Sequence, residues 1–328
     1  SFAYNSGRVT GGSTGGIYGY MAEGLDNNFN NVYYLNTYSG NTAQVGADSN
    51  TLSELQNINT FANFNFQEIW GIKTYDVAQT NFNNGLPFIW SVATWDNWND
   101  YAVEEVVPDE NGIYHITTAE ELAWLSKQSN LTAGFADNKQ FVIDNNINLY
   151  GHYFTPISHN QTTSTDYSYA FNGEFDGNNK LIEGLTIEQN YVENINNMAL
   201  FGIVGNALVT NVAMENTHIV VTSNSSNAAS LAAIVSGTST IENAQINLAY
   251  KTNSGAIIVN DGVNQAWVAS TIATVVNNAN ISKVNSYLNL IVNNEQSGVI
   301  VGGIVSTLKQ ASSVDQVSYS GKIEVENA

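Results

Sequence analysis

An apolar residue, two others, a second apolar or small residue, and one more two places on: this pattern occurs five times along the chain. It reads Phe29, Val32, Tyr34; Val209, Val212, Met214; Ile241, Ala244, Ile246; Ile281, Val284, Ser286; and Val314, Val317, Tyr319. The last four copies are separated by 32, 40 and 33 residues, far more than a helical heptad, and are preceded by small and apolar stretches such as Phe201-Gly202-Ile203-Val204-Gly205. Recurrence at that period marks a solenoid, whose repeats cannot bury an apolar face alone and must stack on their neighbours. Within each repeat, short runs alternate apolar and polar residues between Gly and Asn corners, which is the pattern of strands. The expected fold is therefore all-β: a parallel β-helix with rungs about 4.8 Å apart. A sandwich also has short strands and Gly turns but no reason to recur at this period. Each repeat is long enough for one large rung or two small ones.

The same patterning divides the chain. Residues 1–90 carry strands such as Val32-Tyr33-Tyr34-Leu35, a short helical turn opening at Thr51, and an aromatic run of Phe61, Phe64, Phe66, Ile69 and Trp70. That cluster reads as material closing the open end of a solenoid, which terminal repeats must do to stay soluble. Residues 91–112 are polar, acidic and aromatic, and read as a linker. A second unit is expected over 113–328, opening with a strand at Ile113 and the one clear helix. Thr118-Ala119-Glu120-Glu121 is a capping box, and Ala119, Leu122, Ala123 and Leu125 follow at helical spacing. This short helix is expected to cap the first rung.

Composition narrows the partners. With 29 acidic residues against 9 basic ones the formal net charge is −20, and Arg8 is the only arginine. Phosphate backbones require clustered Lys and Arg, so the chain is not expected to bind nucleic acid, and an anionic membrane surface would repel it. No apolar run reaches the roughly eighteen residues of a membrane span, so no membrane insertion is expected. Cysteine is absent, which removes disulfides, thiolate catalysis and sulfur-ligated zinc. Asparagine is abundant, at 49 of 328 residues. It tolerates left-handed backbone at corners and can form hydrogen-bonded ladders from rung to rung.

Particular residues carry a resemblance. Phe201 to Gly205 followed by Val209-Thr210-Asn211-Val212, and Val301-Gly302-Gly303-Ile304-Val305 followed by Val314, resemble the GLUG-type repeat of bacterial surface proteins. The stretch from Ile116 to Gly184 resembles the segment that opens such units. It does so in the helix at 119–125, in Ile147-Asn148-Leu149 and Thr155-Pro156-Ile157, and in Phe171 to Gly177. Phe66 to Trp70 with Gly85-Leu86-Pro87-Phe88 resembles the segment that ends them. The resemblance implies a right-handed parallel β-helix of the filamentous-haemagglutinin kind, found in adhesins and in stalks of large exported proteins. It supplies no catalytic residues. An ending segment ahead of an opening one suggests the tail of one unit and the head of the next, as in a tandem surface array.

Candidate chemistry is sparse. His115, His152, His159 and His218 stand in no motif, and the His-Glu-x-x-His of a zinc protease is absent. Asp176 with Asn178, or Asn260 with Asp261, could offer oxygen ligands to calcium, but Asx-Gly pairs are first of all turn formers. Glu174 and Asp176 point to one face of a strand and form the only spacing that suggests a carboxylate pair. Trp90, Trp95, Trp98 and Tyr101 could stack on sugars or pack the junction between units. The expectation is a non-enzymatic structural or adhesive segment of an exported, extracellular surface protein, with no catalytic, cofactor or metal site. Its partner would be a surface glycan or protein, with self-association along an array. The alternatives are a β-helical lyase or glycosidase, or the stalk of a larger exported protease.

Overall fold

The computed structural model describes residues 3–6, 31–36, 47–72, 82–90, 96–161, 166–192, 195–248, 255–293 and 298–325. The chain divides into two compact units, with the boundary after Ser91.

In the first unit three parallel strands stack: β1 (Ala3–Asn5), β2 (Val32–Leu35) and β3 (Asp48–Asn50). A single helical turn, α1 (Leu52–Leu55), follows as expected, closed by a capping box between Thr51 and Glu54. Phe61, Phe64, Phe66 and Leu86 then form one cluster with Tyr33, Leu35 and Leu55. Phe61, Phe64 and Phe66 thus pack against the Tyr33 and Leu35 side chains of β2, whereas Ile69 of the same run is exposed. A short antiparallel pair, β4 (Trp70–Gly71) and β5 (Phe88–Ile89), completes the unit. The repeat pattern is out of phase here. Tyr33 and Leu35 join the cluster, whereas Val32 and Tyr34 lie on the other face, because neighbours along a strand point to opposite sides. Phe29 lies outside the described residues.

The second unit is a parallel β-helix. It opens with β6 (Ile113–Ile116), α2 (Ala119–Leu131), β7 (Gln140–Ile143), β8 (Ile147–Asn148), β9 (Glu174–Asp176), β10 (Leu181–Glu183), β11 (Thr186–Glu188) and β12 (Asn197–Met198). A full turn follows in β13 (Phe201–Gly205), β14 (Leu208–Glu215), β15 (His218–Val221) and β16 (Ser226–Ala228). The next turn is β17 (Ala232–Ser236), β18 (Thr240–Ile246), β19 (Ala256–Val259) and β20 (Ala266–Ala269). A third is β21 (Ile272–Val275), β22 (Asn280–Ser286), β23 (Asn289–Val292) and β24 (Val299–Gly302). The last described rung holds β25 (Val305–Leu308), β26 (Ser313–Asp315), β27 (Ser318–Tyr319) and β28 (Ile323–Val325).

Each turn places one strand in each of four sheets, so a repeat is one large rung. Val209 lies beside Ile241, Ile241 beside Ile281 and Ile281 beside Val314, which makes the periods of the sequence the register of the sheet. That row extends back through Phe175 and Phe141 to Tyr114. A second row runs Ile147, Ile182, Met214, Ile246, Ser286, Tyr319. Most of these side chains belong to one buried cluster that continues from rung to rung.

Helix α2 closes the first end of that column. Thr118 Oγ1 accepts from the Glu121 amide while the Glu121 carboxylate accepts from the Thr118 amide, satisfying free amides at the helix start. Leu122, Trp124 and Leu125 are buried, and the Trp124 ring stacks on Tyr114 with centroids 5.9 Å apart. The described part of the 91–112 segment packs on this unit. Trp98 is buried in its core and donates from Nε1 to the Leu149 carbonyl at 3.0 Å. Among the described residues no helix is long and apolar enough to cross a membrane.

Candidate binding surface

The three-residue step inside the repeated pattern has a backbone cause. A strand alternates its faces, so apolar residues three apart would point opposite ways unless one residue between them left the extended conformation. Asn211, Asn243, Lys283 and Gln316 do so, with φ of 55°, 58°, 55° and 53°. Each restores Val212, Ala244, Val284 or Val317 to the inside and bends the strand outward at the same height on successive rungs. At the rung before, the corresponding residue is Gly177, where a Cβ would stand 2.5 Å from the Asn211 carbonyl oxygen.

The bend arranges a polar ladder on the outer face of the long sheet. Asn243 Nδ2 donates to Asn211 Oδ1 at 2.8 Å, and Asn211 Nδ2 donates to Asp176 Oδ1 at 2.9 Å. Asp176 Oδ1 also accepts from the Asn178 amide at 2.7 Å. Lys283 ends the asparagine series and turns its Nζ to Glu242 Oε1 at 2.5 Å. Beside the ladder, Gln140, Glu174, Leu208 and Thr240 form one register row. With Asn138, Lys139, Asn172 and Asn206 they line a shallow groove of about 800 Å³ that crosses four rungs. This polar, gently bent face can hydrogen-bond an extended ligand lying along the stacking direction.

The candidates from sequence are spread over this scaffold. Glu174 and Asp176 do share the outer face of β9, but Glu174 accepts from Gln140 Nε2 at 2.8 Å and Asp176 is held by two donors at the bend. Asn260, Asp261 and Gly262 make the turn after β19, where the Val263 amide reaches the Asn260 carbonyl. Among the described residues no group of three or more His, Asp or Glu side chains could hold a metal ion. Trp90 is fully buried against Phe88 in the first unit, and Trp95 lies outside the described residues. Of the aromatic set Tyr101 is the exposed member, with its hydroxyl donating to Asp96 at 2.8 Å.

The four histidines do not converge. His115 sits between Asp144, 2.8 Å from Nδ1, and Asp109, 3.5 Å from Nε2. The hydrogen bond to Asp144 raises its pKa. His152 packs edge-on against Trp98 at 4.5 Å, and burial lowers its pKa. His159 lies beside Gly202, its backbone amide bound to Asn130 Oδ1, and burial pushes its pKa down to about 4. His218 is buried with Nε2 3.9 Å from Glu188.

One polar group was not singled out in the sequence. Tyr150 is buried within reach of the charges of Glu183 and Glu215, and its hydroxyl accepts from Asn216 Nδ2 at 2.5 Å. Desolvation, then the charge of Glu183, raises its pKa well above the ordinary value. Gly184 is its footprint, since a Cβ there would meet the Tyr150 ring at 2.6 Å. The usable signal is the corner pair Gly184 and Asn216, register neighbours that both have positive φ. No family model, curated protein or solved structure matches the chain.

Proposed function

We propose that this chain is a non-enzymatic structural and adhesive segment of an exported bacterial surface protein of the GLUG-repeat type. One observation carries the reading: the whole repeat is spent on holding rungs in register, inward through a shared apolar column and outward through the asparagine ladder. Such a stack makes a rigid spacer whose length grows with rung number and whose outer face repeats in steps of about 4.8 Å. The groove along Gln140, Glu174, Leu208 and Thr240 is the surface offered to a glycan or protein ligand. High negative charge with few charged residues in total suits an extracellular chain kept apart from its neighbours by repulsion. The one candidate carboxylate pair is already engaged, Glu174 by Gln140 and Asp176 by Asn178 and Asn211, which favours the scaffold over a polysaccharide-cleaving enzyme.

The test applies the 328-residue chain to panels of surface glycans and matrix proteins, and in parallel to acidic polysaccharides in a turnover assay. Retention on a ligand, weakened by combining Glu174→Lys with Thr240→Lys, is expected, with no turnover. Depolymerisation of a polysaccharide by the chain alone would overturn the proposal.

A further inference from the structure

Two of the four sheets of the second unit meet along their outer faces. One contains β16 and β20, the other β17 and β21. Ala266 and Val268 point into the apolar column, so Trp267 between them points out. It continues the register row Asn197, Asn227. On the other sheet the outer row is Ile203, Ile234, Thr274, whose two isoleucines cluster with Ala170 apart from the column. The rows touch where Thr274 Oγ1 donates to Asn227 Oδ1 at 2.9 Å, and Asn227 Nδ2 in turn donates to Asn197 Oδ1 at 3.1 Å. This re-entrant corner is closed at its bottom, with Ile203 and Ile234 at 0% and 7% exposure, while Trp267 stays partly exposed. Rungs lie on both sides of Trp267, through Asn227 and Ile300.

Trp267 is unlike the other described tryptophans. Trp98 and Trp124 sit in the main core, Trp70 packs on the aromatic cluster of the first unit and Trp90 is fully buried. Among the described residues the Trp267 indole N–H has no hydrogen-bond partner and its ring no aromatic neighbour. Its surroundings are also uncharged. Residues 195–205, 224–239, 262–280 and 298–308, which carry every strand of these two sheets, contain no Asp, Glu, Lys, Arg or His in a chain of net charge −20.

We infer that Trp267 is the stacking platform of a ligand site for an uncharged sugar residue of a glycan. A sugar ring offers a face of C–H groups to an aromatic ring and hydroxyls around its edge. Trp267 supplies the apolar face together with a free N–H, and Asn227 keeps one amide proton for a neighbouring hydroxyl. An acidic sugar would bring its carboxylate or sulfate to a face without a cation, which is costly. A protein partner needs roughly 800 Å² on each side, more than one ring and its amide neighbours offer. The site lies on other sheets than the groove through Glu174 and Thr240, and it rests on the adhesive reading only in taking the ligand to be a glycan.

Calorimetric titration of the 328-residue chain with cellotetraose, mannotetraose and chitotetraose, and with oligogalacturonate as the acidic counterpart, tests the site. At least one uncharged saccharide should bind and the acidic one should not. Trp267→Ala should weaken that binding by roughly tenfold or more with unaltered circular dichroism, and Trp267→Tyr, which keeps an aromatic face, should weaken it less. No binding of any uncharged saccharide, preference for oligogalacturonate, or binding indifferent to both substitutions would each overturn the inference. Saccharide binding lost with Glu174→Lys and Thr240→Lys but unmoved by Trp267→Ala would overturn this site while leaving the adhesive reading in place.

Discussion

Asn243 and Asn211 stand one rung apart, both in left-handed backbone, joined by a 2.8 Å hydrogen bond from the Nδ2 of one to the Oδ1 of the other. Backbone need and side-chain pairing meet in one residue type, which explains why asparagine recurs at this bend. Left-handed backbone costs an ordinary L-residue roughly 1–2 kcal/mol, and a lost hydrogen bond costs about 1 kcal/mol. Asn243→Ala should therefore destabilise the unit by about 2–3 kcal/mol, and Asn243→Gly, free of the backbone term, by about 1 kcal/mol. Urea unfolding of both variants checks the difference, and equal losses would remove the backbone half of the argument.

The second prediction concerns Gly184, held at φ 76° with the Tyr150 ring against the place of its missing Cβ. Gly184→Ala is expected to cost more than the 1–2 kcal/mol of backbone strain alone. Tyr150→Leu leaves the strain but removes the ring, so part of the loss should be recovered in the double variant. A double-mutant cycle with no coupling would show that the ring does not dictate the glycine.

Two histidines should titrate with opposite signs. His115 has its folded pKa raised, chiefly by the hydrogen bond to Asp144. Its contribution to stability is complete below the unfolded pKa, about 6.5, and is lost as pH rises through the higher folded value. His159 has its folded pKa lowered to about 4 by burial. Between about 6.5 and that value the unfolded chain binds the extra proton, so stability falls as pH drops across this window and levels off beneath it. NMR titration of both rings, with unfolding curves of His115→Gln and His159→Gln against pH, checks the two slopes separately. A His159 ring that takes its proton near pH 6.5 would contradict the burial argument.

The same substitution should have unequal effects at two positions in register. Leu290 is fully buried, and Leu290→Ala should cost about 2–5 kcal/mol. Its partner on the next rung, Ile323, is 43% exposed. Ile323→Ala should cost less than half as much. Equal losses in urea unfolding would contradict the difference in burial between the two positions.

The stacking was legible in sequence because inward residues must be apolar at every rung, so Val209, Ile241, Ile281 and Val314 recorded the register directly. The capping helix was legible for a similar reason, since Thr118 and Glu121 have few other ways to meet the free amides. Rung number was not legible, because Asn206, Gly237 and Asn216 turn corners with the same chemistry as any other bend. In the first unit both faces of β2 are apolar, so spacing could not choose between Val32 with Tyr34 and Tyr33 with Leu35. The outer surface was least legible. Polar residues there satisfy neighbours one rung away, some 32 to 40 positions distant, as Thr238 does with Asn206 and Gly237 with Asn277.

One measurement tests the wound coil most directly, and the absence of native cysteine makes it clean. Thr240 and Asn280 are register partners on adjacent rungs, 40 residues apart in sequence. Adjacent strands lie about 4.8 Å apart, within the Cα range a disulfide can bridge, whereas a partner two residues out of register lies beyond it. Thr240→Cys with Asn280→Cys should oxidise to an intramolecular disulfide without loss of fold, while Thr240→Cys with Ser282→Cys should not. Failure of the first pair, or equal bridging by both, would contradict the stacked register.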